Sequence, residues 1–528
     1  MNYRVLVSDP LAEEGIEILR REVDVDVKTD LSEDALVGII GEYDALLVRS
    51  GTEVTARVIE AGTRLRFIGR AGAGVDNIDT DAATRRGIIV ANAPEGNTLA
   101  ATEHTCAMML SLARNIPQAN ASVKSRQWKR SRFIGVEVNE KTLGIIGFGR
   151  IGKEVAKRAS AMNMRIVAYD PFIAKDPARE LGVEIVDLPE LYRRSDFITI
   201  HTPLIKDTRH LINAETIAQM KDGVRIINCA RGGIIDEDAL YNGIISGKVA
   251  GAALDVFECE PPTDSPLVGL DQVIMTPHLG ASTVEAQSNV AVSIARQCLA
   301  VLAGGDAKYV VNAPTIPAEQ AEALAPFVDL AGRMARLLMQ ITDGRIEGLH
   351  ITYAGEIPHL PQASRYLTRQ TVKALLEQIL HLPVNIVNAE VVAGERGIAI
   401  SETITGDSGG FKNLIRIGLR TDRGEQSIEG SVFSPSRRRV VAIGGYTMDL
   451  DPTGYLVISK HLDRPGVIGR ASTTLGRVNV NIAGMQVGRI RPGEEAIMVL
   501  NVDSEVPPGA IEEIRTHPGI FSAWFVHI

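Results

Sequence analysis

The stretch Thr142-Leu143-Gly144-Ile145-Ile146-Gly147-Phe148-Gly149-Arg150-Ile151-Gly152-Lys153 decides the fold. Its first half is a short apolar run and reads as a buried strand. Its second half spaces three glycines as GxGxxG and opens a helix over Lys153–Met162. Each glycine has a task in that setting. Gly147 permits the tight turn, Gly149 lets backbone approach a pyrophosphate, and Gly152 lets helix and strand pack closely. The helix N-terminus then offers N–H groups and the positive end of a dipole to the anion. Asp170 closes the next strand, Arg165–Tyr169, eighteen residues after Gly152. A carboxylate there accepts the two ribose hydroxyls. Its charge opposes a 2′-phosphate, and Pro171-Phe172 bring no cation, so the expected cofactor is NAD rather than NADP. The segment also fits the start of a P-loop, GxxxxGK. Glu154 stands where that loop needs a Mg²⁺-binding hydroxyl, which rejects a nucleotide triphosphatase.

On the C-terminal side the alternation continues through Phe197–Ile200, Arg225–Asn228 and Gln272–Met275. On the N-terminal side, Tyr3–Ser8, Ala45–Val48 and Phe67–Gly69 read as strands, with a helix at Ala12–Arg21. Two doubly wound parallel-sheet units in succession are the simplest reading, with a cleft between them. A helix over Thr98–Ile116, starting at a Thr98 cap and ending before Pro117, joins the units. A second, Thr283–Leu302, carries the chain back and stops at Gly304-Gly305. Asn312–Pro326, with three prolines, reads as a linker. A helix at Gln370–Leu380 and a strand at Ile386–Val392 follow. After a second linker, Asp449–Gly454, the last stretch reads strand, helix, strand, strand, helix, strand.

The composition narrows the class. Of 528 residues, 45% are hydrophobic and 23% charged, an ordinary globular balance, and the net charge of −9 opposes a general nucleic-acid binder. Four cysteines without a CxxC pair exclude a zinc ribbon and suit a reducing cytoplasm; no metal site is expected. Arg4 and Asp9 interrupt any signal sequence, and no run of 18 apolar residues suggests a membrane span.

Chemistry-bearing residues follow strands of the second unit. Arg231, in Asn228-Cys229-Ala230-Arg231-Gly232-Gly233, sits at a strand's C-terminal edge, where ligands bind in such sheets, and suits a bidentate grip on a carboxylate. His278, in Thr276-Pro277-His278-Leu279-Gly280, is a natural base for an alcohol proton near neutral pH. Glu260, in Asp255-Val256-Phe257-Glu258-Cys259-Glu260-Pro261, is a carboxylate able to orient that ring.

In order and spacing these segments resemble the signatures of the D-isomer-specific 2-hydroxyacid dehydrogenases, and within them the long, serine-regulated branch acting on 3-phospho-D-glycerate. The resemblance covers essentially the whole chain. It implies Arg231, Glu260 and His278 as the catalytic set. It implies NAD contacts at Arg150, Ile151, Asp170, Thr202, Cys229, Ala230, Arg231, Asp255, His278, Leu279, Gly280 and Ala281, beside Gly147, Gly149 and Gly152. It places the substrate phosphate on Arg49 and Arg70, and the carboxylate near the Gly72-Ala73-Gly74 backbone as well as Arg231 and His278. Ala73 departs from the small hydroxyl residue that relatives often carry. The implied domains are a substrate-binding unit (1–98 and 284–312), an NAD-binding unit (99–283), an intervening α+β domain (317–450) and a βαββαβ ACT module (453–528). His461, Asp463 and Asn481 match effector loops for L-serine in the ACT module, and the run Arg437-Arg438-Arg439 is a candidate anion site. The implied protein is a cytoplasmic homo-oligomer, dimer or tetramer. It oxidises 3-phospho-D-glycerate to 3-phosphonooxypyruvate at the entry to L-serine synthesis. The alternatives are a dehydrogenase of another D-2-hydroxyacid and an NAD-sensing co-regulator on the same fold.

Overall fold

The computed structural model describes residues 3–528 other than 174–181, 306, 315, 317, 358–362 and 381–383. The first unit is a five-stranded parallel sheet in which Arg4–Val7 lies between Asp24–Val27 and Ala45–Val48, followed by Phe67–Arg70 and Ile89–Asn92. Apart from Arg4 and Arg70 at strand ends, its central strands are apolar because helices cover both faces. One cover is the helix Val284–Leu302, whose Val290, Ile294 and Cys298 are buried against Val5, Leu47 and Phe67.

The second unit is a seven-stranded parallel sheet. Thr142–Ile146 lies between Arg165–Tyr169 and Phe197–Ile200, and the strand order reverses there. That reversal opens the ligand crevice of a doubly wound sheet. Val249–Leu254 also belongs to this sheet. Its sequence VAGAAL is poor in β-branched residues, so it carries little local strand signal.

The third unit is a mixed six-stranded sheet, one face of which is covered by the helices Ala318–Gln340 and Ala363–Leu376. The fourth is an antiparallel βαββαβ module ordered Ile482–Arg489, Glu495–Val502, Tyr455–Leu462, Ile520–His527. One face of this last sheet packs under its own helices. From the other face, Leu456, Ile458, Val499 and Val526 join Leu330 and Met334 in a single core with the third unit. The third unit is fastened to the first. Asn385 Nδ2 donates to Gly87 O at 2.6 Å. Arg369 donates to Asn312 O at 3.4 Å, and Asn312 itself accepts from Val90 N–H at 3.0 Å. Among the described residues no helix is long and apolar enough to cross a membrane.

Several expectations are corrected. Asn312–Pro326 is not wholly a linker, because the helix Ala318–Gln340 runs through Pro326. Proline removes one helical hydrogen bond there, and the buried face of Leu324, Leu330, Met334, Leu337 and Leu338 outweighs that loss. Ile386–Val392 is not a strand. Asn385 Oδ1 accepts from Val387 N–H at 2.9 Å and Asn388 N–H at 3.3 Å, and this turn starts the helix Ala389–Glu395. Thr98 is not a cap: it is the first residue of the helix Thr98–Arg114. That helix stops at Asn115, with φ 50°, and Pro117 opens a further helix, Ile116–Lys124. The run Arg437-Arg438-Arg439 is neutralised rather than waiting for an anion. Arg438 pairs with Asp329 at 2.9 Å, Arg439 with Asp451 at 2.9 Å, and Arg437 with Asp449 at 3.8 Å.

Candidate active site

The glycine turn has the geometry that a dinucleotide needs. Gly147 has φ 92°, which a side chain would strain. A Cβ on Gly152 would stand 2.3 Å from Gly147 O, while one on Gly149 would meet open space. The helix Arg150–Ala161 starts directly after Gly149 and puts Arg150 and Ile151 in its first turn. Asp170 follows the neighbouring strand. Its Oδ2 accepts from Phe148 N–H and its Oδ1 from Phe172 N–H, both at 2.9 Å. These bonds aim the carboxylate at the turn and leave each oxygen a lone pair for a hydroxyl.

Beside the turn lies a cavity of about 220 Å³, lined by Ile151, Thr202, Cys229, Ala230, Arg231, Asp255, His278, Gly280 and Ala281 from the second unit and by Ala73 from the first. Asn97 also lines it. Thr202 Oγ1 and Asn97 Oδ1 are buried there without a hydrogen-bond partner. Orphaned buried polar atoms are costly, so this wall suits a ligand with polar edges and fits the carboxamide and ribose of NAD. Asn97 carried no signal in the sequence beyond its place before a helix.

Three segments bring the catalytic candidates together. His278 follows the strand Val273–Met275 and is held at φ 54°, a left-handed conformation rare for a side-chain-bearing residue. Its Nδ1 lies 2.9 Å from Glu260 Oε2, and Glu260 Oε1 accepts from Phe257 N–H at 3.2 Å. Burial pushes the Glu260 carboxyl up, but the bond and charge of His278 more than offset it and hold the group below the usual carboxylate range. Asp255 is fully buried and fixes the backbone on the far side of His278. It accepts from Leu279 N–H at 2.7 Å, Gly280 N–H at 2.8 Å, Thr276 Oγ1 at 2.6 Å and His104 Nε2 at 3.1 Å. Burial raises its carboxyl too, and these bonds outweigh it, keeping it low. His104 lies 151 positions from Asp255. No local pattern could have joined them.

Arg231 follows the strand Val224–Asn228, whose Asn228 shapes the loop by donating to Arg231 O at 2.8 Å and accepting from Ala230 N–H at 3.0 Å. Its Nε donates to Asp76 Oδ2 at 3.0 Å, which ties the second unit to the first across the cleft. Its Nη1 donates to Ala230 O at 2.6 Å. Asp76 therefore occupies one of the two edges of the guanidinium that the expected two-pronged grip on a carboxylate could use. Nothing local in the sequence pairs Asp76 with Arg231, 155 positions away.

The first unit supplies two more arginines. Arg70 closes the strand Phe67–Arg70, and its Nε is buried without a partner. Burial, then the nearby cations of Arg231 and Arg49, pushes its guanidinium down to about 10, so it stays charged at neutral pH. A Cβ on Gly72 would lie 2.0 Å from Arg70 Nη1, and one on Gly74 would lie 2.0 Å from Arg231 Nη2. The Gly72-Ala73-Gly74 backbone is therefore the surface on which two guanidiniums rest. Arg49, just after Ala45–Val48, donates from Nη1 to Pro10 O at 3.3 Å.

Within one chain His461 and Asp463 lie together, and Asn481 stands at the opposite end of the sheet. Asp463 pairs with Arg489 at 3.1 Å, at the end of the strand Ile482–Arg489. Asn481 precedes the start of that strand and donates to Asp503 at 2.6 Å. His461 is buried beside Asp463, whose charge acts on it. It shares a strand face with Val457, which lies in the core beneath the module's helices.

Comparison with known proteins agrees with this layout. Residues 106–280 match the D-isomer specific 2-hydroxyacid dehydrogenase NAD binding domain, 323–444 the D-3-phosphoglycerate dehydrogenase intervening domain, and 455–519 the ACT domain. The chain is 47% identical to D-3-phosphoglycerate dehydrogenase of Methanocaldococcus jannaschii over 98% of each chain. It is 43% identical to that of Bacillus subtilis over 100% of both. The structure of D-lactate dehydrogenase from Aquifex aeolicus, complexed with NAD and lactic acid, matches 59% of this chain at TM-score 0.54 and 30% identity, over 100% of its own length. With NAD-binding, intervening and ACT domains in this order, the chain belongs to the D-3-phosphoglycerate dehydrogenase family of NAD-dependent oxidoreductases.

Proposed function

We propose that this chain oxidises 3-phospho-D-glycerate at C2 to 3-phosphonooxypyruvate, the entry step of L-serine synthesis. One observation carries the reading: Arg231 and His278 line one cavity with Ala73 of the first unit, and the guanidiniums of Arg231 and Arg49 both lie close enough to Arg70 to act on its charge. Three clustered cations call for a ligand with more than one anionic group, and Arg70, orphaned at Nε, is the most demanding of them. A phosphorylated hydroxyacid carries both a phosphate and a carboxylate.

NAD, when bound, supplies the acceptor for the hydride that leaves C2. The turn Gly147–Gly152 and the helix behind it would hold its pyrophosphate and Asp170 its ribose, with Thr202 and Asp255 in the wall by its reactive end. Arg49 and Arg70 take the substrate phosphate, and Arg231 takes the carboxylate by giving up Asp76. His278 Nε2 accepts the C2 hydroxyl proton. The Glu260 carboxylate, on the opposite ring nitrogen, stabilises the imidazolium that forms. Closure of the cleft removes water and strengthens each of these contacts.

The same reading extends to regulation and assembly. The strand Ile482–Arg489 is a sheet edge and exposes Met485 and Val487. Pairing two copies antiparallel along that edge sets one copy's Asn481 near the other's Asp463, a frame for the two ends of L-serine. The protein is then a dimer, or a tetramer of such pairs. Its four free cysteines suit the cytoplasm.

The test is a substrate panel with NAD. Arg49→Ala or Arg70→Ala should raise KM for 3-phospho-D-glycerate roughly 10- to 150-fold, the equivalent of about 1.5–3 kcal/mol per charged contact, and far less for unphosphorylated D-2-hydroxyacids. Equal losses on both substrate types would overturn the phosphate assignment.

A further inference from the structure

The loop Arg49-Ser50-Gly51-Thr52 is gripped at four backbone atoms by two side chains that themselves lie outside it. Asp9, buried at the end of the first strand, accepts through Oδ2 from Arg49 N–H at 2.6 Å and from Thr52 N–H at 3.1 Å. Its Oδ1 accepts from Thr52 Oγ1 at 3.0 Å. Asn77 completes the grip from the other side. Its Nδ2 donates to Arg49 O at 2.7 Å and to Thr52 O at 2.6 Å. Both the N–H and the C=O of each terminal loop residue are thus bound, and all four bonds belong to the pair Asp9 and Asn77. The fit is close: a Cβ on Gly51 would come within 2.7 Å of Asp9 Oδ1. Asn77 is itself anchored, since its carbonyl accepts from Val54 N–H at 2.8 Å.

A loop that only had to connect two elements could leave these groups to water, because Ser50 and Gly51 at its tip are exposed. Arg49 sits within the grip, and its guanidinium is one of the charges that act on Arg70. Asp9 acts on Arg70 as well, with the opposite sign, and so offsets part of the repulsion between the two arginines. A long flexible cation binds well only when its stem is fixed beforehand, since ordering it on binding costs affinity.

We infer that Asp9 and Asn77 are positioning residues that pre-set the Arg49 loop for the substrate's phosphate, and so determine specificity for a phosphorylated substrate. This rests on the reading of Arg49 given above. Asp9 holds the loop's donors and balances the arginine charge; Asn77 holds its acceptors. Neither touches the reacting carbon.

The experiment compares kcat/KM for 3-phospho-D-glycerate with that for an unphosphorylated D-2-hydroxyacid in the full-length enzyme, across four variants. Asn77→Asp replaces two donated bonds by oxygen facing oxygen, and Asn77→Ala deletes them. Asp9→Asn removes the charge while its amide oxygen can still accept both N–H groups. Arg49→Ala is the reference. The ratio of the two kcat/KM values should fall 10- to 100-fold in both Asn77 variants, carried by KM. It should fall less, about 3- to 10-fold, in Asp9→Asn, with a weaker dependence of KM on salt. If Arg49→Ala lowers the ratio and neither Asn77 variant does, the positioning inference is overturned and the phosphate assignment stands. If Arg49→Ala leaves the ratio unchanged, the phosphate assignment itself fails. Losses of equal size on both substrates in the Asn77 variants, with a lowered unfolding temperature, would assign the grip to fold stability and likewise overturn the inference.

Discussion

Replacing Glu260 by Gln keeps the side chain's volume and leaves an amide oxygen able to accept from His278 Nδ1–H. The perturbation is therefore the loss of one charge across a 2.9 Å contact. In the resting enzyme a neutral ring loses little. When the hydroxyl proton arrives at Nε2 the ring becomes cationic, and the contact changes from a neutral to a charge-assisted hydrogen bond. Such bonds contribute about 1.5–3 kcal/mol against about 0.5–1.5 for neutral ones. The pair is half-exposed, so solvent screens part of the difference. An effect of about 1–1.8 kcal/mol in the transition state lowers kcat roughly 5- to 20-fold. The assay is steady-state turnover at saturating NAD and 3-phospho-D-glycerate, repeated with deuterium at C2. Slower chemistry should raise the isotope effect on kcat toward its intrinsic size. A stability measurement adds a sign. Glu260 is held below its ordinary carboxylate value, so it contributes stability above about pH 4.3, the unfolded value, and that contribution is lost as pH falls through the folded one. The Gln variant lacks this contribution, so its stability deficit relative to the native chain should shrink below about pH 4.3. A kcat within twofold of native, with an unchanged isotope effect, would refute the role given to Glu260.

Three further outcomes follow from the geometry. Asp170→Ala should weaken NAD about 10-fold and narrow the preference over NADP, as read by fluorescence titration of both; a native enzyme that prefers NADP would contradict the reading. Gly232→Ala would place a Cβ 1.7 Å from Phe257 O, in the segment whose Phe257 N–H holds Glu260. The thermal midpoint should drop and kcat fall at least about 10-fold, and native values of both would show that this segment yields freely. Residues 453–528 expressed alone would expose Leu456, Ile458, Val499 and Val526 and should aggregate, whereas 313–528 should run as a discrete species on gel filtration. A soluble monomer of the shorter piece would contradict the shared core.

What could be read in the sequence was local. Gly147, Gly149 and Gly152 declare a turn because their spacing and the strand before them lie within a dozen positions, and Asp170 closes the same βαβ unit. Arg231 and His278 were legible because each directly follows a strand, and strand ends of one parallel sheet meet at one edge. The partners that give these residues their properties were not legible. Asp76 on Arg231, His104 on Asp255, and Asp9 and Asn77 on the Arg49 loop are joined only by the fold. The errors of secondary structure have the same source. Pro326 and the run Ile386–Val392 each carry a local preference, against helix and for strand, and each was overridden, the first by a buried apolar face and the second by the paired side chains of Asn385 and Asn388.

The fastening of Asn385 to Gly87 and of Arg369 to Asn312 joins the C-terminal units to one half of the catalytic cleft. The C-terminal units form one body through their common core, and that body is bolted to the sheet that presents Arg49 and Arg70. An effector bound at the far end would therefore act on the half of the cleft proposed for the substrate's phosphate before the half proposed for the dinucleotide. The outcome expected for such an effector is a K-type effect, a change in the apparent KM for the phosphorylated acid at constant affinity for NAD.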